Sequence, residues 1–143
     1  MFYTQKGDNY LLRLVKGEKV IDSLSKFCEK NNIKNTVISG IGSIDSPTLA
    51  HYSVKTKKYS EKKLNGIFEL TNLTGNVAQY EGKSLVHVHI SLSDSSMHAF
   101  GGHLVETEVS ATVEIILLDL KINYVKTFSQ EIGLKLWDLP ERL

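Results

Sequence analysis

Three histidines are the residues of this chain whose spacing most invites chemistry. Val86-His87-Val88-His89-Ile90 places two imidazoles two residues apart. On a strand alternate side chains face the same way, so His87 and His89 share a face with α-carbons about 7 Å apart. Val86, Val88 and Ile90 then project the other way, toward a core. Two imidazoles at that separation can converge on one ion, given zinc–nitrogen bonds of about 2.0–2.1 Å. A third, His103, follows Gly101-Gly102, and paired glycines let that backbone come close to the first two side chains. Three imidazoles with an open position form the donor set of catalytic zinc, which activates a bound water near neutral pH. The same spacing also fits two polar residues on the wet face of a half-exposed strand, and spacing alone leaves both readings open.

Other candidates are weaker. His98 sits in a serine-rich stretch, Ser93 to Met97, and reads as a loop residue rather than a fourth ligand. His51 lies in a separate strand with no partner nearby in sequence. Arg13 stands inside Leu11-Leu12-Arg13-Leu14-Val15, and Glu114 inside Val113-Glu114-Ile115-Ile116-Leu117. Alternation can put each on a wet face. If buried, each needs a partner, because an unpaired interior charge is very costly. A mutual pair, a pair across a subunit interface, or a carboxylate orienting a liganding imidazole would each suffice. In an enzyme Glu114 would be the first candidate for general base, with Glu106 and Glu108 behind it. No phosphate-cradling glycine loop and no nucleophile elbow accompanies them.

The elements that must position these residues are legible in outline. Asn9 to Val15 reads as a first strand. Gly17-Glu18 opens a helix whose apolar positions, Val20, Ile21, Leu24, Phe27 and Cys28, make one stripe on a 3.6-residue period. Asn31-Asn32 is its stop. Cys28, the single cysteine, falls on that stripe and reads as a small core residue. Strands follow: Asn35 to Ile44 with Gly40 and Gly42 where backbone bends or approaches closely, then Thr48 to Thr56. Lys57 to Asn65 reads as a polar connection. Gly66 to Tyr80 is one long strand, or two joined at Gly75-Asn76. Glu81-Gly82-Lys83 is a hairpin loop into Leu85 to Leu92, and Val109 to Leu120 and Asn123 to Phe128 complete the body. Leu134, Leu136, Trp137 and Leu139 can pack the tail down. The fold class is α+β: a mostly antiparallel β-sheet with one main α-helix, in a single domain over 1–143.

Composition narrows the partners. The 143 residues are 41% hydrophobic and 23% charged, the balance of a soluble globular protein rather than a disordered chain. No apolar run approaches the roughly 20 residues of a membrane helix, and the first eight residues lack the layout of a secretory signal. One cysteine excludes an intramolecular disulfide framework and suits a reducing compartment, so the expectation is a cytoplasmic protein without a membrane partner. Net charge is +1, with two arginines, Arg13 and Arg142, which leaves little for phosphate neutralisation or guanine readout. The local basic cluster Lys55, Lys57, Lys58, Lys62 and Lys63 reads as a solvated loop, unless oligomerisation repeats it around an axis.

Taken in order, Leu12-Arg13-Leu14, Gly17-Glu18, Ser39-Gly40-Ile41-Gly42, Phe68 to Asn76, His87-Val88-His89 and Gly101-Gly102-His103 resemble the PPC domain, the domain conserved in plants and prokaryotes. The resemblance runs from about Tyr10 to Phe128. It implies an α/β sandwich-like fold that assembles as a homotrimer. It also implies a metal site at His87, His89 and His103, with zinc the expected ion, and a regulatory, DNA-associated role. Plant members carry an Arg-Gly-Arg-Pro segment that reads the A·T-rich minor groove, and this chain has none. Plant members also use a Gly-Arg-Phe-Glu segment for partner contacts. Here it is Gly66-Ile67-Phe68-Glu69, which weakens the carry-over of that role to Glu69. The leading expectation is a homotrimeric PPC module with a three-histidine metal site. The alternative is a metal-dependent enzyme performing hydrolase-type chemistry on a small molecule at the same histidines.

Overall fold

The computed structural model describes residues 1–141, so Arg142 lies outside the described residues. It is an α+β fold, mostly antiparallel sheet with one α-helix among the described residues. Strands β1 (Phe2–Lys6) and β2 (Asn9–Val15) precede helix α1 (Val20–Lys30). Then follow β3 (Thr36–Ser53), β4 (Lys58–Lys63), β5 (Ile67–Tyr80), β6 (Lys83–Ser93) and β7 (Ala99–Asp119). The tail forms a separate hairpin of β8 (Lys126–Ser129) and β9 (Leu134–Trp137).

Four strands close into a ring. β3 pairs with β5 and with β7, and β6 pairs with the other side of both partners. β2 extends the sheet from the second half of β7, β1 from β2, and β4 from the end of β3. The interior is filled by alternate residues of these strands, including Leu14, Ile38, Leu73, Leu92, Ile115 and Leu117, each fully buried. Each such side chain removed from water contributes about 1.5–3 kcal/mol of transfer free energy.

Helix α1 packs its stripe on β6 and β7, burying Val20, Leu24, Phe27 and Cys28 as its spacing predicts. Tyr3 and Tyr10 meet the Phe27 ring edge-on at 5.0 and 5.3 Å. Burial pushes the Cys28 thiol up to about 12, which makes it an inert core residue. Asn32, in the left-handed region, ends the helix. At the other end Lys19 supplies no side-chain cap. The Glu106 carboxylate does so from β7, accepting from the backbone N–H of Ile21 at 2.9 Å and of Asp22 at 3.1 Å.

Several elements differ from the sequence expectation, each for a local reason. β1 is an unforeseen strand that folds back on β2 through Gly7-Asp8. The expected break at Asp45-Ser46-Pro47 is a bulge, so β3 runs unbroken beside β7 with a register shift there, and its ladder with β5 shifts between Gly40 and Gly42. The expected polar connection contains β4, whose six residues are all exposed. An edge strand wet on both faces shows no apolar alternation, and its lysines oppose further pairing. β7 begins at Ala99 because residues 99–103 pair with β6. The Glu81-Gly82 hairpin appears as expected, both residues having positive φ as a two-residue turn requires.

Candidate metal centre

The three histidines converge. His89 and His103 face each other directly across the β6–β7 ladder, and His87 lies two residues along the same face of β6. Ring centroids are 5.1–5.4 Å apart in all three pairs. One nitrogen from each ring lies within 4.8 Å of the others. Val88 and Ile90 are buried on the opposite face, which fixes the register. Gly101 and Gly102 sit in the ladder opposite Ser91 and Ile90, and bring β7 against β6 beside the site. Gly75 performs the same service on the other flank, where a Cβ would collide with the His87 carbonyl oxygen.

The surroundings favour neutral imidazole. Burial, reinforced by the Lys126 charge and by the other two rings, pulls the His87 pKa down to about 4. Burial and His89 also lower His103. Neutral nitrogens are the form that ligates metal. His103 Nδ1 is buried with no hydrogen-bond partner among the described residues, an orphaned polar atom that an ion would satisfy. The donor set, its convergence and this orphan all fit a zinc-type ion.

A cavity of about 560 Å³ opens beside His87 and His103. Tyr59 of β4 borders it, its ring 5.4 Å from that of His103. Asn76 of β5, opposite His87 in the ladder, contributes a buried Oδ1 without a partner among the described residues. The tail hairpin supplies the remaining wall, including Lys126, Phe128 and Trp137. Lys126 is only 6% exposed, its Nζ lying 5.3 Å from the centre of the Trp137 ring, and burial lowers its pKa. The hairpin is tied down at several points. Asn35 exchanges two hydrogen bonds with the Tyr124 backbone, each 3.0 Å. The Tyr52 hydroxyl donates to the Ile132 carbonyl at 2.6 Å, and Lys57 Nζ to the Gln130 carbonyl at 2.7 Å.

The other predicted residues lie elsewhere. Glu114 does not orient an imidazole. It faces Arg13 across the β2–β7 ladder on the outer sheet surface, in a second cavity that shares no residue with the histidine cavity. Both side chains alternate outward while Leu12, Leu14, Val113 and Ile115 take the core, and the Arg13 guanidinium lies 4.8 Å over Phe2. Glu106 is occupied as the cap of α1, and Glu108 is exposed on β7. His98 is a loop residue beside Asp94 at 3.3 Å, and His51 is exposed on β3. The sequence points to none of Lys126, Trp137, Tyr59 and Asn76 as a site residue: Trp137 reads only as tail packing, Asn76 only as a strand joint, and Lys126 only as a lone lysine in the apolar run Tyr124-Val125-Lys126-Thr127-Phe128.

Comparison with known proteins settles the family. The model of the Plants and Prokaryotes Conserved (PCC) domain matches residues 1–121. The chain belongs to this family, also written PPC. A PPC protein from Pyrococcus horikoshii is similar in structure with a TM-score of 0.88 and 34% identity, the alignment covering 99% of this chain and 97% of that one. A putative DNA-binding protein from Bacteroides thetaiotaomicron aligns with a TM-score of 0.92 at 28% identity, covering 96% of each chain. A metal-containing protein from Archaeoglobus fulgidus aligns with a TM-score of 0.83 at 30% identity, covering 96% of this chain and 98% of that one. No curated protein matches the chain. Among the described residues no helix is long and apolar enough to cross a membrane.

Proposed function

We propose that this PPC chain is a homotrimeric, regulatory metal-binding module in which His87, His89 and His103 hold a zinc ion. The convergence of three imidazole nitrogens within 4.8 Å carries the reading. The similarity to a metal-containing protein from Archaeoglobus fulgidus supports it. When bound, such an ion supplies Lewis acidity at an open coordination position. The chain's own contribution is to present three neutral rings from two adjacent strands.

The trimer rests on a different face. Leu11, Ile41 and Ile116 are 55%, 59% and 42% exposed on the outer surface of β2, β3 and β7, around the Arg13–Glu114 rung. Contiguous apolar surface of this kind marks an interaction site. Assembly around it would bury Arg13 and Glu114 together and repeat the lysines of β4 three times. DNA association, suggested by the description of the Bacteroides protein, would then be weak and strongly salt-dependent, as a net charge of +1 per chain dictates.

The test is metal content by mass spectrometry of purified, untagged protein beside a His87→Ala/His89→Ala variant. About one zinc per chain in the wild type and none in the variant is the expected result. No metal in either, even after loading with zinc and removal of excess, would overturn the reading. A second reading, hydrolase-type chemistry on a small molecule, is favoured by one observation, the cavity adjoining the histidines. Screening small esters and phosphoesters with the metal-loaded protein and the double variant separates the two readings.

A further inference from the structure

The histidines do not account for the cavity beside them. Its tail-hairpin wall holds a lysine with no counterion: Lys126 belongs to none of the ion pairs among the described residues, and its side chain makes no hydrogen bond there. Its stem is buried while its ammonium, beside the Trp137 ring, is not among the fully buried polar atoms, so the charge is held in a largely desolvated wall and open to an anion entering the cavity. Around it the walls are mainly apolar: Val86 and Leu85 from β6, and Phe128, Leu136 and Trp137 from the hairpin, with a second lysine, Lys135, at the edge and its Nζ 4.1 Å over the Tyr80 ring. Asn76 Oδ1, buried and unpartnered, offers one acceptor in the same cavity. A mostly apolar cleft with a few converging polar groups is the usual form of a small-molecule site.

We propose that this cavity binds a small organic anion, a carboxylate or phosphate monoester, whose charged end pairs with the Lys126 ammonium and whose apolar body lies against Val86, Phe128 and Trp137. A ligand hydroxyl or amide N–H then donates to Asn76 Oδ1. The inference goes beyond the metal reading and stands without an ion, because the pairing group belongs to the chain. An aromatic or branched aliphatic acid suits the walls, and Trp137 would stack on or beside it. Free carboxylates and phosphate monoesters share the chemistry, and the two arms of the experiment distinguish them.

Trp137 is the only tryptophan in the chain and reports the site directly. Benzoate and phenyl phosphate are titrated separately into metal-free wild-type protein while Trp137 fluorescence is followed, with benzyl alcohol as the uncharged comparison. Saturable changes with at least one anion, and a much weaker response to benzyl alcohol, are expected. Lys126→Met keeps an unbranched chain over Trp137 and removes the charge, so it should weaken the anion by about 10- to 100-fold. Lys126→Arg should restore part of the loss. If Lys126→Met fails to fold, the comparison of charged and uncharged probes on wild type still decides. Equal response to benzyl alcohol and the anions, unchanged affinity in a folded Lys126→Met, or no saturation by either anion would each overturn the proposal. Anion binding seen only after zinc loading would likewise overturn it, by making the ion rather than Lys126 the receptor. Because the titration uses metal-free protein, a failed metal reading leaves its result intact.

Discussion

Gly75 and His87 are in such close approach that the His87 carbonyl oxygen occupies the space a Cβ on Gly75 would need. β5 therefore holds β6 at backbone distance at the place where the His87 side chain leaves the strand. Gly75→Ala should push the two strands apart, costing roughly 1–3 kcal/mol of stability through overpacking. It should also weaken zinc binding, because His87 moves relative to His89 and His103. Urea denaturation and a competition titration against a zinc chelator measure the two effects. Wild-type affinity in a folded Gly75→Ala would show that the spacing of β5 and β6 does not set the site.

Glu106 gives a contrasting case. Its carboxylate caps α1 from a distant strand and accepts a third hydrogen bond from its neighbour Thr107 N–H at 2.9 Å. Glu106→Ala should destabilise the fold by about 1–2 kcal/mol, as loss of a helix cap does. Metal content should be unchanged. A variant with wild-type stability and lost metal would reverse this assignment and return Glu106 to the site.

The pH dependence has a definite sign. The folded-state pKa of His87 lies near 4, against 6.5 for an ordinary imidazole, and His103 is displaced in the same direction. Between those values the unfolded chain takes up protons that the metal-free folded chain refuses. Stability is thus fully present above about pH 6.5 and is lost progressively as pH falls toward about 4. Denaturation midpoints of metal-free protein at about pH 7 and about pH 4.5 should differ accordingly, and His87→Gln should reduce the difference. A flat profile would mean that the ring is solvated.

Assembly is tested on the other face. Ile116 lies between Leu11 and Ser39 in the ladders of β7 and is exposed in the single chain. Light scattering at micromolar concentration should give three times the 16.0 kDa chain mass for wild type and one chain mass for Ile116→Glu. Zinc content should survive the substitution, since all three ligands come from one chain. A wild-type mass near one chain would end the trimer reading.

Sequence legibility followed periodicity. Helix α1 and the outward pair His87 and His89 were readable because apolar residues mark one side of each element, on periods of 3.6 and 2. His103 was found because glycines precede it. β4 was invisible since both its faces are wet, and β1 since its partner covers little of it. For Glu114 the sequence leaves a wet face, a pairing with Arg13 and a place beside the imidazoles all open, because strand alternation tells which residues share a side, not which side holds the site; the ladder sets it opposite Arg13. Lys126 was unreadable for a related reason: its burial depends on Trp137 and on the anchoring of Tyr124 by Asn35, contacts between segments far apart in the chain.

The family match ends at residue 121, and Lys126 and Trp137 both lie after it. Part of the cavity wall, Lys126 and Trp137, is therefore written in a later stretch of chain than the three imidazoles, while Val86 and Asn76 lie within the match. Such a division lets the two drift independently. A chain could exchange residues 126–137 and change its preferred guest while keeping its imidazoles in register. For engineering, the hairpin is the natural cassette: its two strands pair with each other rather than with the seven-stranded sheet, and its ties to the body are few, among them the Val125–Gln79 bridge and the Tyr52 and Lys57 hydrogen bonds.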